Sequence, residues 1–296
     1  MRLAFLGTPA ASVPALRALV KHGHEVVVVI TAPDRRRGRG GATSPTPVKA
    51  AARELGLVVA HDLETVVSSN AELGVVVAFG SLISKSILDQ IPMMNVHFSL
   101  LPRWRGAAPV ERAILAGDQQ TGVCVMGLEV SLDTGPVFAR ATTNVGKKSA
   151  AELTTELAEL GADLLCATLS QRPLPSPIPQ SGDVIYAHKI TRDDLALTPA
   201  LHVDQLHRIV RLGRAHATVA NRQLLVVRAE VVYDEEVEPG VVRTVQGEPE
   251  LGAVGGYLRL LDVRPAGART MTARSWWQNI RERNAVTWGA VANDAP

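Results

Sequence analysis

The sequence predicts an α/β fold, a doubly wound domain on a parallel sheet followed by a smaller β-rich module. Three observations predict it. Near-continuous apolar runs alternate with helical patterns over the first third of the chain, as expected of βαβ units whose sheet is covered on both faces. Prolines at 173, 175, 177 and 179 then interrupt regular structure. Beyond them, short Val- and Leu-rich segments replace the strand–helix alternation.

RLAFLG reads as the first strand and Val13 to Lys21 as the helix after it. HEVVVVIT is the second strand, a loop leads to a helix from Val48 to Leu55, and LVVA and GVVVAFG add two strands. A helix from about Glu111 to Ala116, strands at Gly122 to Glu129 and Val137 to Thr143, and an amphipathic helix from Ser149 to Leu169 complete this part. RPLPSPIPQSGD, from Arg172, favours an extended path across the domain surface. The expected division is a first domain over 1–182, a linker over 183–202, a second domain over 203–290 and a tail over 291–296. In the second domain LHVDQLHRIVRLGR carries a short helix, RQLLVVRAEVVY and GAVGGYLRLLDV are Val- and Leu-rich segments of a β-rich module, and a closing helix runs from about Ala273 to Arg283.

With 296 residues, 46% hydrophobic and 20% charged, the chain can bury a sizeable core. Its longest apolar runs, VVVVI and VVVAF, fall far short of the roughly 20 residues that cross a membrane, so no membrane partner is expected. The N-terminus enters a strand directly, without the apolar core of an export signal, and a cytoplasmic location is expected. Cys124 and Cys166 have no CxxC partner or His at ligand spacing, which indicates neither a metal nor a disulfide framework. A monomer is expected.

The net charge of +2 conceals an uneven distribution. Residues 1–50 hold Arg2, Arg17, Lys21, Arg35, Arg36, Arg37, Arg39 and Lys49 against Glu25 and Asp34 alone, which favours an anionic partner such as phosphate or nucleic acid. Half of these basic residues lie in DRRRGRGGATSPTP, residues 34–47, and connections longer than about 12–15 residues are usually functional or disordered. Gly7-Thr8-Pro9 follows the first strand but lacks GxGxxG, and GRGG at 38–41 lacks the GK[ST] ending of a phosphate loop. Neither supports dinucleotide or ATP chemistry.

The stretch NVHFSLLPRWRGAAP, residues 95–109, carries the chemistry. At strand spacing Asn95, His97 and Ser99 share one face while Val96 and Phe98 face the core, and the strand then breaks at Pro102 and exposes Arg103, Trp104 and Arg105. In SLDTG, residues 131–135, Asp133 sits in a Gly-terminated turn after an apolar strand. An Asn, a His and an Asp converging at strand ends supply an oxyanion donor, a proton-sharing imidazole and an orienting carboxylate, a set suited to attack on a carbonyl. A hydrogen-bonded structural pair is the competing reading of Asn95 and His97, and a self-capping turn that of Asp133.

HFSLLP matches the HxSLLP signature of the folate-dependent formyltransferases, and NVHFSLLPRWRGAAPVERAILAGDQQTG with LDTGPV resembles the branch that formylates methionyl-tRNA. The similarity extends to the GTP turn, APDRRRGRG with SPTPVKAAARELGL, VVVAFG and HKITRDD. The resemblance implies a Rossmann-like catalytic domain joined to a small OB-like barrel. It also implies formyl transfer from 10-formyltetrahydrofolate, with no metal, to the amino group of methionyl initiator tRNA. On it, Asn95, His97 and Asp133 are catalytic, Ser99, Leu100, Leu101 and Pro102 border the folate site, and the loop holding Arg39 reaches toward the tRNA acceptor end. Arg35, Arg36 and Arg37 join that contact. Arg208 and Arg211, on one face of the second domain's helix, are further phosphate candidates, with a solvated helix face as the alternative.

Two departures stand out. RLGRAHATVANRQ at 211–223 replaces the Asn-Pro-Trp-Pro-type turn of that branch, and the basic loop carries Arg36, Arg37, Gly41 and Ala42 where relatives often place Pro, Ala and lysines. Residues 201–296 hold 12 Arg and no Lys against 11 Asp plus Glu, so this module is not globally basic. The rivals are an N-formyltransferase acting on a nucleotide-linked amino sugar, a single-domain purine-pathway formyltransferase, and a non-catalytic RNA-binding module. The basic loop and the RGAAPVERAILAGD run favour the tRNA branch over the sugar enzyme, and the second domain is surplus to the purine enzyme.

Overall fold

The computed structural model describes residues 1–36, 43–280 and 286–289. Two compact units emerge. The first comprises Met1–Val110, Gln119–Gly146 and Glu152–His188, and the second comprises Glu111–Asp118, Lys147–Ala151 and the chain from Lys189 onward.

In chain order the strands of the first unit are β1 (Arg2–Gly7), β2 (Glu25–Ile30), the short pair β3 (Arg35–Arg36) and β4 (Thr43–Ser44), β5 (Val59–Ala60), β6 (Leu73–Val77), β7 (Met93–His97), β8 (Arg103–Gly106), β9 (Gln120–Gly127), β10 (Val137–Asn144) and β11 (Ile185–Ala187). Its helices are α1 (Val13–Lys21), α2 (Pro47–Glu54), α3 (Glu64–Ser68), α4 (Lys85–Leu88) and most of α6 (Ala150–Ser170), while α5 (Pro109–Ala116) belongs mainly to the second unit. Seven strands form one sheet in the order β10-β9-β7-β6-β1-β2-β5. From β5 to β7 all neighbours are parallel, whereas β9 runs antiparallel to β7 and β10 antiparallel to β9. The sheet is therefore mixed, and its direction changes at β7.

Local chemistry explains the elements. β-branched EVVVVI suits a strand buried on both faces. Thr46 caps α2 by accepting the Lys49 N–H at 3.1 Å, and Pro47 starts the helix where a missing N–H costs nothing. On one face Ala4, Leu6, Val28, Ile30, Val76 and Met93 pack with Val66 and Ile87. Across β7 and β9 lies α6, which approaches closely enough that a Cβ at Gly161 would stand 2.7 Å from Val96 Cγ1. That contact holds β7 firmly from one side.

Two expectations for the stretch after Asn95 are corrected. Arg103–Gly106, expected to be exposed after Pro102, is the half-buried strand β8, paired in parallel with β11. The strand expected to reach Ser99 ends at His97.

The second unit contains α7 (Val203–Val210), β12 (His216–Val219), β13 (Arg222–Tyr233), β14 (Val242–Val245), β15 (Glu248–Ala253), β16 (Gly256–Pro265), β17 (Met271–Thr272) and α8 (Ala273–Gln278). Its six-stranded sheet is antiparallel, ordered β12-β13-β16-β15-β14 with β17 on β16. Residues 287 and 288 bridge both outer edges: Ala220 N–H donates to the Thr287 carbonyl at 3.2 Å and Trp288 N–H to the Gly240 carbonyl at 3.0 Å. Val203, Leu206, Leu224, Val226, Leu258, Leu260 and Trp277 build the core. The buried Glu250 carboxylate is matched by Arg243 at 2.7 Å and Arg259 at 2.6 Å, the pairing a buried charge requires.

Candidate active site

β7 delivers two of the expected residues where the sheet changes direction, beyond the carboxyl ends of its parallel strands, which is where open α/β sheets place ligands. Asn95 is half-buried and His97 is buried, on the same face of β7 and about 7 Å apart along the strand. No hydrogen bond of the Asn95 carboxamide forms among the described residues. The imidazole, in contrast, is fixed. His97 Nε2 lies 2.9 Å from the Trp104 carbonyl, so that nitrogen carries the proton and donates it. The nitrogen left open is Nδ1, which stands 3.7 Å from Asp133 Oδ1. That separation is longer than a hydrogen bond and short enough for a strong ionic interaction once the ring is protonated.

Asp133 comes from the turn between β9 and β10 and adopts a left-handed backbone, φ +54°. Its carboxylate is buried beside the His97 ring, with 7% of each side chain exposed. The self-capping alternative does not describe it, because Oδ2 accepts the Gly106 N–H of β8 at 2.7 Å. Gly106 has φ +116°, a conformation that L side chains rarely adopt, and a Cβ there would meet the Ala187 carbonyl at 2.9 Å. Strand β8 thus orients both groups, through the Trp104 carbonyl and the Gly106 amide. The Asp133 carboxylate, expected to orient the imidazole, does not set its tautomer; the Trp104 carbonyl does so.

Sequence reasoning missed these backbone partners, and it missed Gln180. That residue, in the Pro-rich segment, donates from Nε2 to the carbonyls of Asp133 and Gly135, both at 2.8 Å. Its Oε1 accepts Arg105 Nε at 3.0 Å and Nη2 at 2.7 Å.

Among the residues expected to border a folate, Ser99 and Leu101 are buried. Ser99 Oγ donates to the Arg103 carbonyl at 2.7 Å, and Leu101 packs with Cys124, Met126 and Val137. Leu100 and Pro102 are half-buried and are the members of this set with surface for a ligand. The two cysteines are buried, and burial pushes both thiols up.

Arg35 and Arg36 form β3, while Arg37 and Arg39 lie outside the described residues. In the second unit Arg208 Nη1 donates to the Leu115 carbonyl at 3.3 Å and Arg211 Nε to the Lys148 carbonyl at 2.9 Å. A solvated helix face does not describe either side chain. Among the described residues no cluster of three metal-ligating side chains occurs, and no helix is long and apolar enough to cross a membrane.

Comparison with known proteins sets this geometry in context. The formyl transferase family model matches residues 1–169, and the model of the formyl transferase C-terminal domain matches residues 197–281. A methionyl-tRNA formyltransferase of Roseobacter denitrificans is 46% identical over 288 residues, covering 92% of this chain and 94% of the relative. One from Clavibacter sepedonicus is 37% identical over 303 residues, covering 97% and 99%. Among solved structures, the N-formyltransferase of Helicobacter canadensis in complex with folinic acid and dTDP-3-aminofucose aligns with a TM-score of 0.69 at 13% identity, over 91% of this chain and 99% of that one. The methionyl-tRNA formyltransferase of Clostridium thermocellum aligns at 0.56 with 15% identity, over 78% and 93%. These structural likenesses concern the fold.

Proposed function

We propose a reaction from one premise, that the chain belongs to the formyl transferase family. It is a transferase that formylates the amino group of methionyl-tRNA, as its relatives' names describe, and the formyl donor is a folate, specifically 10-formyltetrahydrofolate. The acceptor is initiator methionyl-tRNA. The sugar-nucleotide alternative rests on a relationship of 13% identity, far below the 37–46% of the tRNA relatives.

The observation that supports the chemistry is a buried His97 ring whose Nε2–H is committed to the Trp104 carbonyl and whose open Nδ1 faces the buried Asp133 carboxylate. The aminoacyl α-amine, with a reference pKa of about 7.7–8.0, is partly neutral at cellular pH and needs no strong base. Its lone pair attacks the formyl carbon, and the carbonyl electrons move onto oxygen. The Asn95 carboxamide donates to that oxyanion. His97 Nδ1 takes the proton lost by the amine, and the Asp133 carboxylate stabilises the imidazolium. Collapse re-forms the carbonyl and breaks the bond to the folate nitrogen, which receives the proton back from Nδ1. The proton balance closes within two side chains and two substrates.

The basic loop from Arg35 to Arg39, with Arg208 and Arg211, supplies cations for the tRNA phosphates in this reading. The test incubates purified protein and 10-formyltetrahydrofolate with either methionyl initiator tRNA or an amino-sugar nucleotide. Formylmethionyl-tRNA is the expected product. Formylation of the sugar alone would replace the acceptor assignment, and no transfer to either would remove the reading.

A further inference from the structure

We infer that Gln180 is a positioning residue for the formyl transfer proposed above, its carboxamide setting the Asp133 turn against the strand that orients His97. Every hydrogen-bonding position of the amide group is accounted for. Its two N–H bonds go to the carbonyls of Asp133 and Gly135, two residues apart in the turn, and its oxygen takes two donors of Arg105. Arg105 stands between Trp104, whose carbonyl takes the His97 Nε2–H, and Gly106, whose amide holds Asp133 Oδ2. One side chain therefore ties the turn bearing the carboxylate to the strand bearing both of its orienting backbone groups.

The turn needs such a tie. Asp133 is a non-glycine residue at φ +54°, a conformation that persists only where its surroundings hold it. On one side the turn is seated on the end of β9: a Cβ at Gly135 would lie 1.9 Å from the Gly127 carbonyl, and Gly127 N–H donates to the Pro136 carbonyl at 2.8 Å. On the other side the holding groups include the amide protons of Gln180. Gln180 is itself anchored, because Ile178 and Val137 exchange two backbone hydrogen bonds at 2.8 Å and β11 pairs with β8. The Pro-rich segment is thus a wall of the site. Without its grip the Nδ1–Oδ1 separation of 3.7 Å loses its definition.

Gln180→Glu is the discriminating variant. A carboxylate still accepts from Arg105, and as an ion pair, but it has no protons for the two turn carbonyls. Three quantities are read: the thermal midpoint, amide exchange of Gly106 relative to Val96, and steady-state kinetics. The variant is expected to stay folded, to exchange Gly106 about tenfold faster, and to lose about 10- to 100-fold in kcat with KM for both substrates within about threefold. A residue that merely braces the fold through Arg105 would leave kcat and the Gly106 amide unchanged. Wild-type exchange at Gly106 overturns the inference, whether or not kcat falls. If Gln180→Glu fails to fold, Gln180→Ala is read by the same exchange. A wild-type enzyme that formylates no acceptor would sink the proposed reaction, while exchange at Gly106 would still decide the role of Gln180.

Discussion

His97 and Trp104 are joined by a hydrogen bond from imidazole Nε2 to a main-chain carbonyl at 2.9 Å. A backbone acceptor cannot ionise, so it fixes the tautomer at every working pH and leaves Nδ1 as the nitrogen that exchanges protons.

His97→Ala removes that nitrogen, and the expected result is a fall in kcat of about 10²- to 10⁴-fold with little change in KM for methionyl-tRNA. Asn95→Ala removes the oxyanion donor and should cost about 10²- to 10³-fold. Both follow from steady-state formylation assays, and a variant within about twofold of wild type would take its residue out of the mechanism.

Binding of methionyl-tRNA is expected to weaken as salt rises, since each phosphate contact releases condensed counterions. Arg39→Ala should reduce the slope of log affinity against log salt by about one and leave the KM for the folate unchanged. Filter binding over a range of potassium chloride measures it. An unaltered slope would leave the loop without a phosphate to hold.

A different group controls stability in acid. Arg112 grips Asp194 at 2.8 Å and holds its carboxyl down at about 2, against an ordinary 3.8. Because the folded value lies below the unfolded one, this stabilisation is complete above about pH 4 and is lost as pH falls through about 2. Arg112→Ala should lower the thermal midpoint at pH 6 by roughly 2–4 °C, corresponding to about 1 kcal/mol after solvent screening. The deficit should shrink as pH falls below 4 toward 2, the range over which the carboxylate protonates in both states. Melting curves of both proteins across that range decide it.

Trp277 is fully buried in the second unit, with its indole N–H donating to Thr244 Oγ1 at 2.7 Å. Trp277→Ala should cost about 3–5 kcal/mol in denaturant unfolding, whereas Met271→Ala at the surface should change stability by less than about 0.5 kcal/mol.

Much of this was readable in the amino-acid order. The alternation of Asn95 and His97, the turn of Asp133 and the apolar runs of β1, β2 and β6 are local patterns, and local patterns are what periodicity reports. The tie between Gln180 and Asp133 crosses 47 residues and depends on tertiary placement of a segment whose prolines suppress any periodic signal. Trp104 and Gly106 act through main-chain atoms, which every residue possesses, so side-chain identity could not mark them. The antiparallel turn of β9 against β7 was equally hidden, because a strand buried on both faces reads alike in either direction. For Arg208 and Arg211 the helical spacing was legible, but their backbone acceptors belong to distant segments.

Bridging of both sheet margins by residues 287 and 288 has a consequence during protein synthesis. Until the ribosome has released residue 289, parts of β12 and of the chain entering β14 carry unpaired backbone groups, a ready template for stray strands. A chain cut short before residue 287 would keep those margins open and be more prone to aggregate than the full chain, although the two differ by only about ten amino acids.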